Sequence, residues 1–497
     1  MEVIITTPVK AYLKNYTEEE IIKLKKSFSF TYKSVAFLIQ KHKKNYSFKK
    51  NCKEAWDARL VELESQLHSS LVEKDETGYW MRPGSVPYIP KSIKYTITNL
   101  VEYPKLTPIP WLNKPEFAPY PEQIACRDLL IAEKHANVSL FTGFGKSFLL
   151  EMIAQHMGLD TVIVTPSKSI FNELLVKFTH DFGEKLVGGF GDGKKDIKKK
   201  ITIAIGRSIT MIEKGTPAYE FFKKKKILLV DESHTFGATE LEKVCHGTLD
   251  AIPYRFFVSG TQTRVDGGLK LLQSIIGKTV FEMGLKQGIE KGYACHFKFS
   301  IIETLSPSTE KKEDPIECKR VHFLYNPKII EICAKIANAS WKIKRHQTLI
   351  LVDELFQIYA IAKLLTVPYT YVHSASEKDA SYWNLKKVDL QTEVDKFNKG
   401  EVNVLIGTSS VSVGTNFYPT HNTINFKGGN SEIVTKQGVI GRSTRLLEKS
   451  KYKDLHQPKP FATVYDFRVI NEPILDKQLQ NRCGWYAESG GEISYYK

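Results

Sequence analysis

From residue 114 onward, short apolar runs alternate with amphipathic or polar stretches. Residues 138–141, 161–165, 201–205, 227–230 and 256–259 each read as a buried strand, and the segments between them as helices. Strand and helix in strict alternation predict a parallel sheet covered by helices on both faces. Such a sheet offers its ligand site at the carboxyl ends of the strands. Residues 143–147, Asp231 and Ser259 then share one edge although they are far apart in sequence.

After Gly292 the text changes. Residues 297–303 are apolar and β-branched, 306–315 form a charged, proline-bounded loop, and a second series of strands follows at 348–352, 369–373, 402–406, 423–426 and 461–465. The fold class expected is therefore α/β: two tandem domains, each a parallel sheet flanked by helices. A small mixed α+β domain precedes them. In that first part Phe28, Phe30 and Tyr32 alternate with polar neighbours, residues 35–39 are apolar, and Lys41, Lys43, Lys44, Lys49 and Lys50 surround Tyr46 and Phe48. This pattern reads as a β-hairpin with a basic, aromatic exterior, and the proline-rich stretch 104–121 as an extended connector. The expected boundaries are 1–112 for the accessory domain, 113–294 and 295–480 for the two α/β domains, and 481–497 for a tail.

At 497 residues the chain is too long for one core, in keeping with about three domains. No apolar run approaches membrane-spanning length, and residues 1–5 lack the features of a secretory signal. No membrane partner and a cytoplasmic location are expected, the host's cytoplasm if a phage encodes the chain. Seven cysteines without a Cys-x-x-Cys pair fit reduced thiols, so no structural metal is expected. The formal charge of +16 favours a polyanionic partner without separating DNA from RNA or acidic protein.

The candidate chemistry begins at Thr142-Gly143-Phe144-Gly145-Lys146-Ser147. Glycines let backbone N–H groups converge on phosphate oxygens, Lys146 adds a point charge, and the Ser147 hydroxyl can ligate Mg²⁺. The run 227–230 then delivers Asp231 and Glu232 to its carboxyl end. Asp231 suits the metal's shell, and Glu232 suits activation of the attacking water. ATP and Mg²⁺ are the expected cofactors.

In this order the residues resemble those of superfamily 2 helicases, over roughly 119–466. Tyr120 and Gln123 resemble the family's Q motif, in which the glutamine reads the adenine edge. Residues 162–167 and 206–208 resemble segments that touch the nucleic-acid backbone, and Ser259-Gly260-Thr261 resembles motif III, which couples hydrolysis to movement. Residues 408–416 resemble motif V, with Gly414 and Asn416 at the nucleotide, and Gly441 to Arg445 resemble motif VI with its two arginines, Arg442 and Arg445. The Asp-Glu-Ser-His box and the basic-aromatic first domain are most similar to phage branch-migration helicases of the UvsW type, with RecG and XPB motors more distant. The resemblance implies that the two α/β domains are tandem RecA-like domains, and it implies ATP-driven unwinding and annealing of forked or branched DNA, including fork regression and Holliday-junction migration, by a chain expected to act as a monomer.

Two departures stand out. Phe141 replaces a proline, and Gln437 lies one residue too far upstream for the family's glutamine, as a local bulge would allow. Other positions keep two readings. His234 could relay the nucleotide state to motif III or fill space beside the sheet. Residues 223–226 read as a solvated strand entry rather than a DNA contact. Lys194, Lys195 and 198–200 follow the glycine-rich 188–193, read as a flexible loop, and could touch phosphate, and Trp485, Tyr486, Tyr495 and Tyr496 could stack on bases or pack on their own domain. An RNA-dependent ATPase, an ATP-switched clamp or a motor subunit of a larger complex are the alternatives to the DNA motor.

Overall fold

A computed structural model describes residues 1–260, 268–408 and 416–497, excepting the side chains at 33, 34, 46–48, 65 and 66. Two compact units emerge. One comprises Met1–Leu140 with Lys146–Glu282, the other Phe141–Gly145 with Met283–Lys497.

The first unit is built on an eight-stranded sheet whose strands lie in the order Lys194–Lys195, Val187–Gly191, Ile201–Ile205, Thr161–Thr165, Ile227–Val230, Tyr254–Ser259, His135–Leu140 and Lys278–Met283. The six from Val187–Gly191 to His135–Leu140 run parallel, as the apolar runs predict. The glycine-rich 188–193 is not the loop expected: Val187–Gly191 is a sheet strand and pairs back on Lys194–Lys195. The 223–226 cluster also needs correction. Lys225 is buried rather than solvated, and its Nζ donates to the carbonyls of Lys199 and Lys200 at 2.7 and 3.1 Å. Burial pushes its pKa down to about 7.

The amino-terminal residues form a five-stranded sheet, in the order Val72–Asp75, Gly78–Met81, Lys10–Lys14, Glu2–Thr7 and Thr96–Asn99. Its tight hairpin joins Glu2–Thr7 to Lys10–Lys14, upstream of the Phe28 to Tyr32 alternation. That alternation straddles two elements. Phe28 closes the helix Glu18–Phe28, which Thr17 and Glu20 cap reciprocally, and Phe30 lies in the three-residue strand Ser29–Thr31 paired with His68–Ser70. Residues 35–39 belong to the helix Lys33–Lys43.

The amino-terminal sheet shares a core with the α/β sheet: Val3, Leu24 and Met81 belong to the same buried cluster as Phe257 and Leu272. The 3₁₀ helix Pro83–Tyr88 abuts the helix Leu269–Ile276 so closely that a Cβ on Gly84 would fall 2.3 Å from the Ser274 carbonyl oxygen. Arg82 bridges Glu73 and Glu242, and Lys270 donates to the carbonyls of Ser27 and Ser29 at 2.7 and 2.8 Å. The connector is extended, as expected, but pinned. The N–H groups of Thr107, Ile109 and Leu112 donate to the carbonyls of Met157, Gln155 and Asp181.

The second unit holds a seven-stranded parallel sheet, in the order Tyr369–Val372, Val404–Gly407, Gln347–Leu351, Thr420–Asn425, Phe461–Ile470, His296–Leu305 and Glu492–Tyr496. Residues 481–497 are therefore not a tail. The boundary at 480 falls inside the helix Pro473–Glu488, and the last strand closes the sheet edge. Tyr486 is buried, its ring stacked on Phe299 at 3.9 Å between centroids. Among the described residues no helix is long and apolar enough to cross a membrane.

Candidate active site

The loop between the strand His135–Leu140 and the helix Lys146–Met157 carries the glycines of the proposed phosphate cradle. Gly143 and Gly145 have φ of +107° and +93°, a backbone that side chains resist and that turns N–H groups toward a bound anion. Phe141 anchors the loop in place of a proline. Its N–H donates to the Met283 carbonyl at 3.1 Å, and its buried ring packs edge-on against Phe144 at 5.8 Å.

Asp231 and Glu232 stand two strands from that loop, with Tyr254–Ser259 between. The strand Ile227–Val230 is buried throughout, so its carboxyl end delivers the pair at a fixed height. Glu232 has φ 47° and ψ 46°, a left-handed backbone that costs a residue with a Cβ about 1–3 kcal/mol. The strain accompanies a definite arrangement. Lys146 Nζ lies 2.6 Å from Glu232 Oε1 as an ion pair whose angle falls outside hydrogen-bond geometry. Glu232 Oε2 lies 3.3 Å from His234 Nδ1, and that nitrogen lies 2.6 Å from Ser259 Oγ. The chain Lys146, Glu232, His234, Ser259 runs from the phosphate loop to the end of the neighbouring strand, partly exposed at Lys146 and Glu232 and buried at His234 and Ser259.

Asp231 is 5 % exposed and accepts the Glu232 N–H at 3.0 Å. Burial, reinforced by the Glu232 carboxylate, pushes its carboxyl up. Asp231, Glu232 and the half-buried Ser147 offer hard oxygen donors, the chemistry Mg²⁺ takes.

Gln123 is buried at the third position of the helix Pro121–Glu133, where its Oε1 accepts the Tyr120 N–H at 2.8 Å. The glutamine thus also caps its own helix. Arg442, buried, and Arg445, half-buried with its guanidinium 5.9 Å from the Tyr418 ring, belong to the second unit. Asn416 is there too, its carbonyl accepting from Asn398 at 2.8 Å. Thr261 and Gly414 lie outside the described residues.

Residues 434–440 wind as a π-helix directly before Arg442, and the Gly441 N–H donates to the Lys436 carbonyl five residues back. Such a turn holds one residue more than an α-turn. It absorbs the displacement of Gln437 and returns it to one turn from Arg442. The signal was present in the sequence as one extra residue between Gln437 and Arg442.

Residues 116–264 match the model of the Type III restriction enzyme res subunit. No curated protein matches the sequence. The yeast S. cerevisiae Dbp5 bound to RNA and ADP BeF3 shares 12% identity at a TM-score of 0.52, over 76% of this chain and 90% of that one. The Type ISP restriction-modification enzyme LlaBIII bound to DNA shares 11% identity at a TM-score of 0.52, over 77% of this chain and 31% of that one. The fold is the one these two proteins share. UvsW of bacteriophage T4 is similar over 99% of this chain and 98% of its own length, at 16% identity and a TM-score of 0.44. The matched segment 116–264 contains Gln123, the Gly143 to Ser147 loop, the Asp231-Glu232 pair, His234 and Ser259.

Proposed function

We propose that this chain is an ATP-driven DNA helicase that unwinds and remodels forked or branched DNA. The observation that carries the reading is the chain of close contacts Lys146, Glu232, His234, Ser259. It supports the reading by setting the lysine assigned to phosphate beside the carboxylate assigned to water, and that carboxylate beside a histidine bonded to the end of the neighbouring strand. Lys146 holds Glu232 in place until a triphosphate's β- and γ-oxygens compete for the ammonium. Released from Lys146, Glu232 accepts a proton from the attacking water. Movement of Glu232 Oε2, 3.3 Å from His234 Nδ1, changes the charge this nitrogen faces, and its hydrogen bond to Ser259 Oγ carries the change to the strand Tyr254–Ser259.

Ser147 and Asp231 would hold Mg²⁺, which supplies charge neutralisation at the phosphates when bound. Arg442 and Arg445 are assigned to the negative charge that develops on the transferred phosphoryl group. Support for DNA as the substrate comes from the net charge of +16 and from the likeness of the first domain's sequence to branch-migration helicases.

The test is steady-state ATP hydrolysis with matched lengths of single-stranded DNA, linear duplex, forked DNA, four-way junction and RNA, at one salt concentration. Forks and junctions are expected to stimulate most, and Glu232→Gln is expected to bind ATP while losing at least about a hundredfold in kcat. Equal or greater stimulation by RNA overturns the DNA assignment. Near-normal turnover by Glu232→Gln overturns the assignment of the base.

A further inference from the structure

Chemistry unused by the candidate active site gathers at one place in the second unit. Cys318 lies in the helix Pro315–Lys319, His322 in the π-helical turn Arg320–Leu324 that continues it, and Glu472 directly before the helix Pro473–Glu488. Cys318 Sγ is 3.8 Å from Glu472 Oε2, and His322 Nδ1 is 3.4 Å from Glu472 Oε1. One donor atom from each of the three falls within 4.8 Å of the others. Cys318 and His322 are buried and Glu472 half-buried, so water reaches the group from the carboxylate side alone.

The spacing suits a particular ion. Zinc sits about 2.3 Å from a thiolate and about 2.0–2.2 Å from imidazole and carboxylate, which places tetrahedral donors roughly 3.3–3.6 Å apart. The Cys318–Glu472 and His322–Glu472 separations of 3.8 and 3.4 Å lie within a few tenths of an ångström of that, and the third pair, within 4.8 Å, closes by a side-chain adjustment of about 1 Å or less. A thiolate and an imidazole in one set favour zinc over magnesium or calcium.

The hydrogen bonds of His322 supply a second, independent observation. Nδ1 faces Ser306 Oγ at 2.6 Å, and that hydroxyl also reaches the Ser308 carbonyl at 2.7 Å and accepts the Ser308 N–H at 3.2 Å. Nε2 is buried and has no hydrogen-bond partner among the described residues. Buried polar atoms rarely stay unpaired. The nitrogen that faces Glu472 is Nδ1, and the Ser306 hydroxyl 2.6 Å from it stands where a fourth donor to a shared ion would.

We propose that Cys318, one nitrogen of His322 and Glu472 bind a zinc ion, with water or the Ser306 hydroxyl in the fourth position. The ion staples the segment 315–324 to the start of the last helix. Its site is built from Cys-x₃-His plus a carboxylate 154 residues on, which is why the absence of Cys-x-x-Cys predicted no structural metal.

The full chain, purified without a metal-affinity tag, is loaded with Zn²⁺, freed of excess ion by gel filtration and assayed for metal by mass spectrometry. One zinc per chain is expected, with a raised melting temperature. Cobalt(II) in its place is expected to give thiolate-to-metal charge-transfer absorption. Cys318→Ser should abolish that band and weaken retention at least about tenfold, whereas Cys333→Ser, at a buried thiol outside the cluster, should leave both intact. Glu472→Gln keeps the test open if Cys318→Ser fails to fold, and it too should weaken retention. Wild-type protein that keeps no zinc, a cobalt band that survives Cys318→Ser, or unchanged retention in Glu472→Gln overturns the proposal.

Discussion

Glu151 sits on the phosphate-loop helix Lys146–Met157 with no exposed surface, paired with Lys177, which also reaches Asp181 at 3.3 Å. His180 Nδ1 lies 2.6 Å from the other Asp181 oxygen. Burial outweighs the lysine and pushes the Glu151 carboxyl from its ordinary 4.5 up to about 8. A carboxyl that holds its proton more tightly when folded contributes stability that is full below pH 4.5 and is lost as pH rises through about 8. The melting temperature of the first unit is therefore expected to carry a component that declines between pH 5 and 8. Glu151→Gln, which keeps the neutral shape, should remove that decline, and a pH profile parallel to the wild type's would refute the assignment. Sequence showed Glu151 only as one more polar position on a helix. It likewise showed the Asp231-Glu232 pair and its strand end, but not the left-handed backbone at Glu232, because that conformation is imposed by neighbours remote in sequence.

At the scale of elements, the buried strands were legible because parallel strands covered on both faces write themselves as continuous apolar runs. The strands Thr161–Thr165, Ile201–Ile205 and Ile227–Val230 begin and end where the apolar text does. Val187–Gly191 escaped because glycines mask a strand, and Glu492–Tyr496 because aromatic residues near a terminus resemble a frayed tail. What fixes the terminal helix is a buried polar network. Arg482 Nε and Nη2 donate to Asp466 at 2.7 and 2.9 Å, Tyr486 donates to the same carboxylate at 2.7 Å, and Asn425 adds a further bond at 3.1 Å. Removing one partner strands a buried charge, so Arg482→Leu should destabilise the second unit by about 3–5 kcal/mol in urea unfolding. Adding Asp466→Asn should recover part of that loss. A single variant within about 1 kcal/mol of wild type would show that the pair is not what holds the helix.

For the whole molecule, the sequence suggested a small domain joined to the motor by a proline-rich tether, and here composition misleads. Basic and aromatic text resembles an independent accessory module, yet Val3, Leu24 and Met81 pack in one cluster with Phe257 and Leu272. Long-range docking of this kind leaves no periodic trace, since it depends on side chains more than a hundred residues apart. The contact most sensitive to change is at Gly84, where any Cβ would fall 2.3 Å from the Ser274 carbonyl oxygen on the helix Leu269–Ile276. Backbone cannot yield as a flexible side chain would. Gly84→Ala is therefore expected to destabilise the first unit by about 1–3 kcal/mol, through overpacking. If residues 1–112 and the sheet that carries Asp231 unfold as one cooperative body, the loss will appear in both. Hydrogen exchange should quicken across the helix Leu269–Ile276 and the strand Tyr254–Ser259, not just within 1–112, and ATP binding should fail at the lower temperature as well. An accessory module on a tether would instead confine the faster exchange to its own sheet and leave the thermal midpoint of ATP binding where it was.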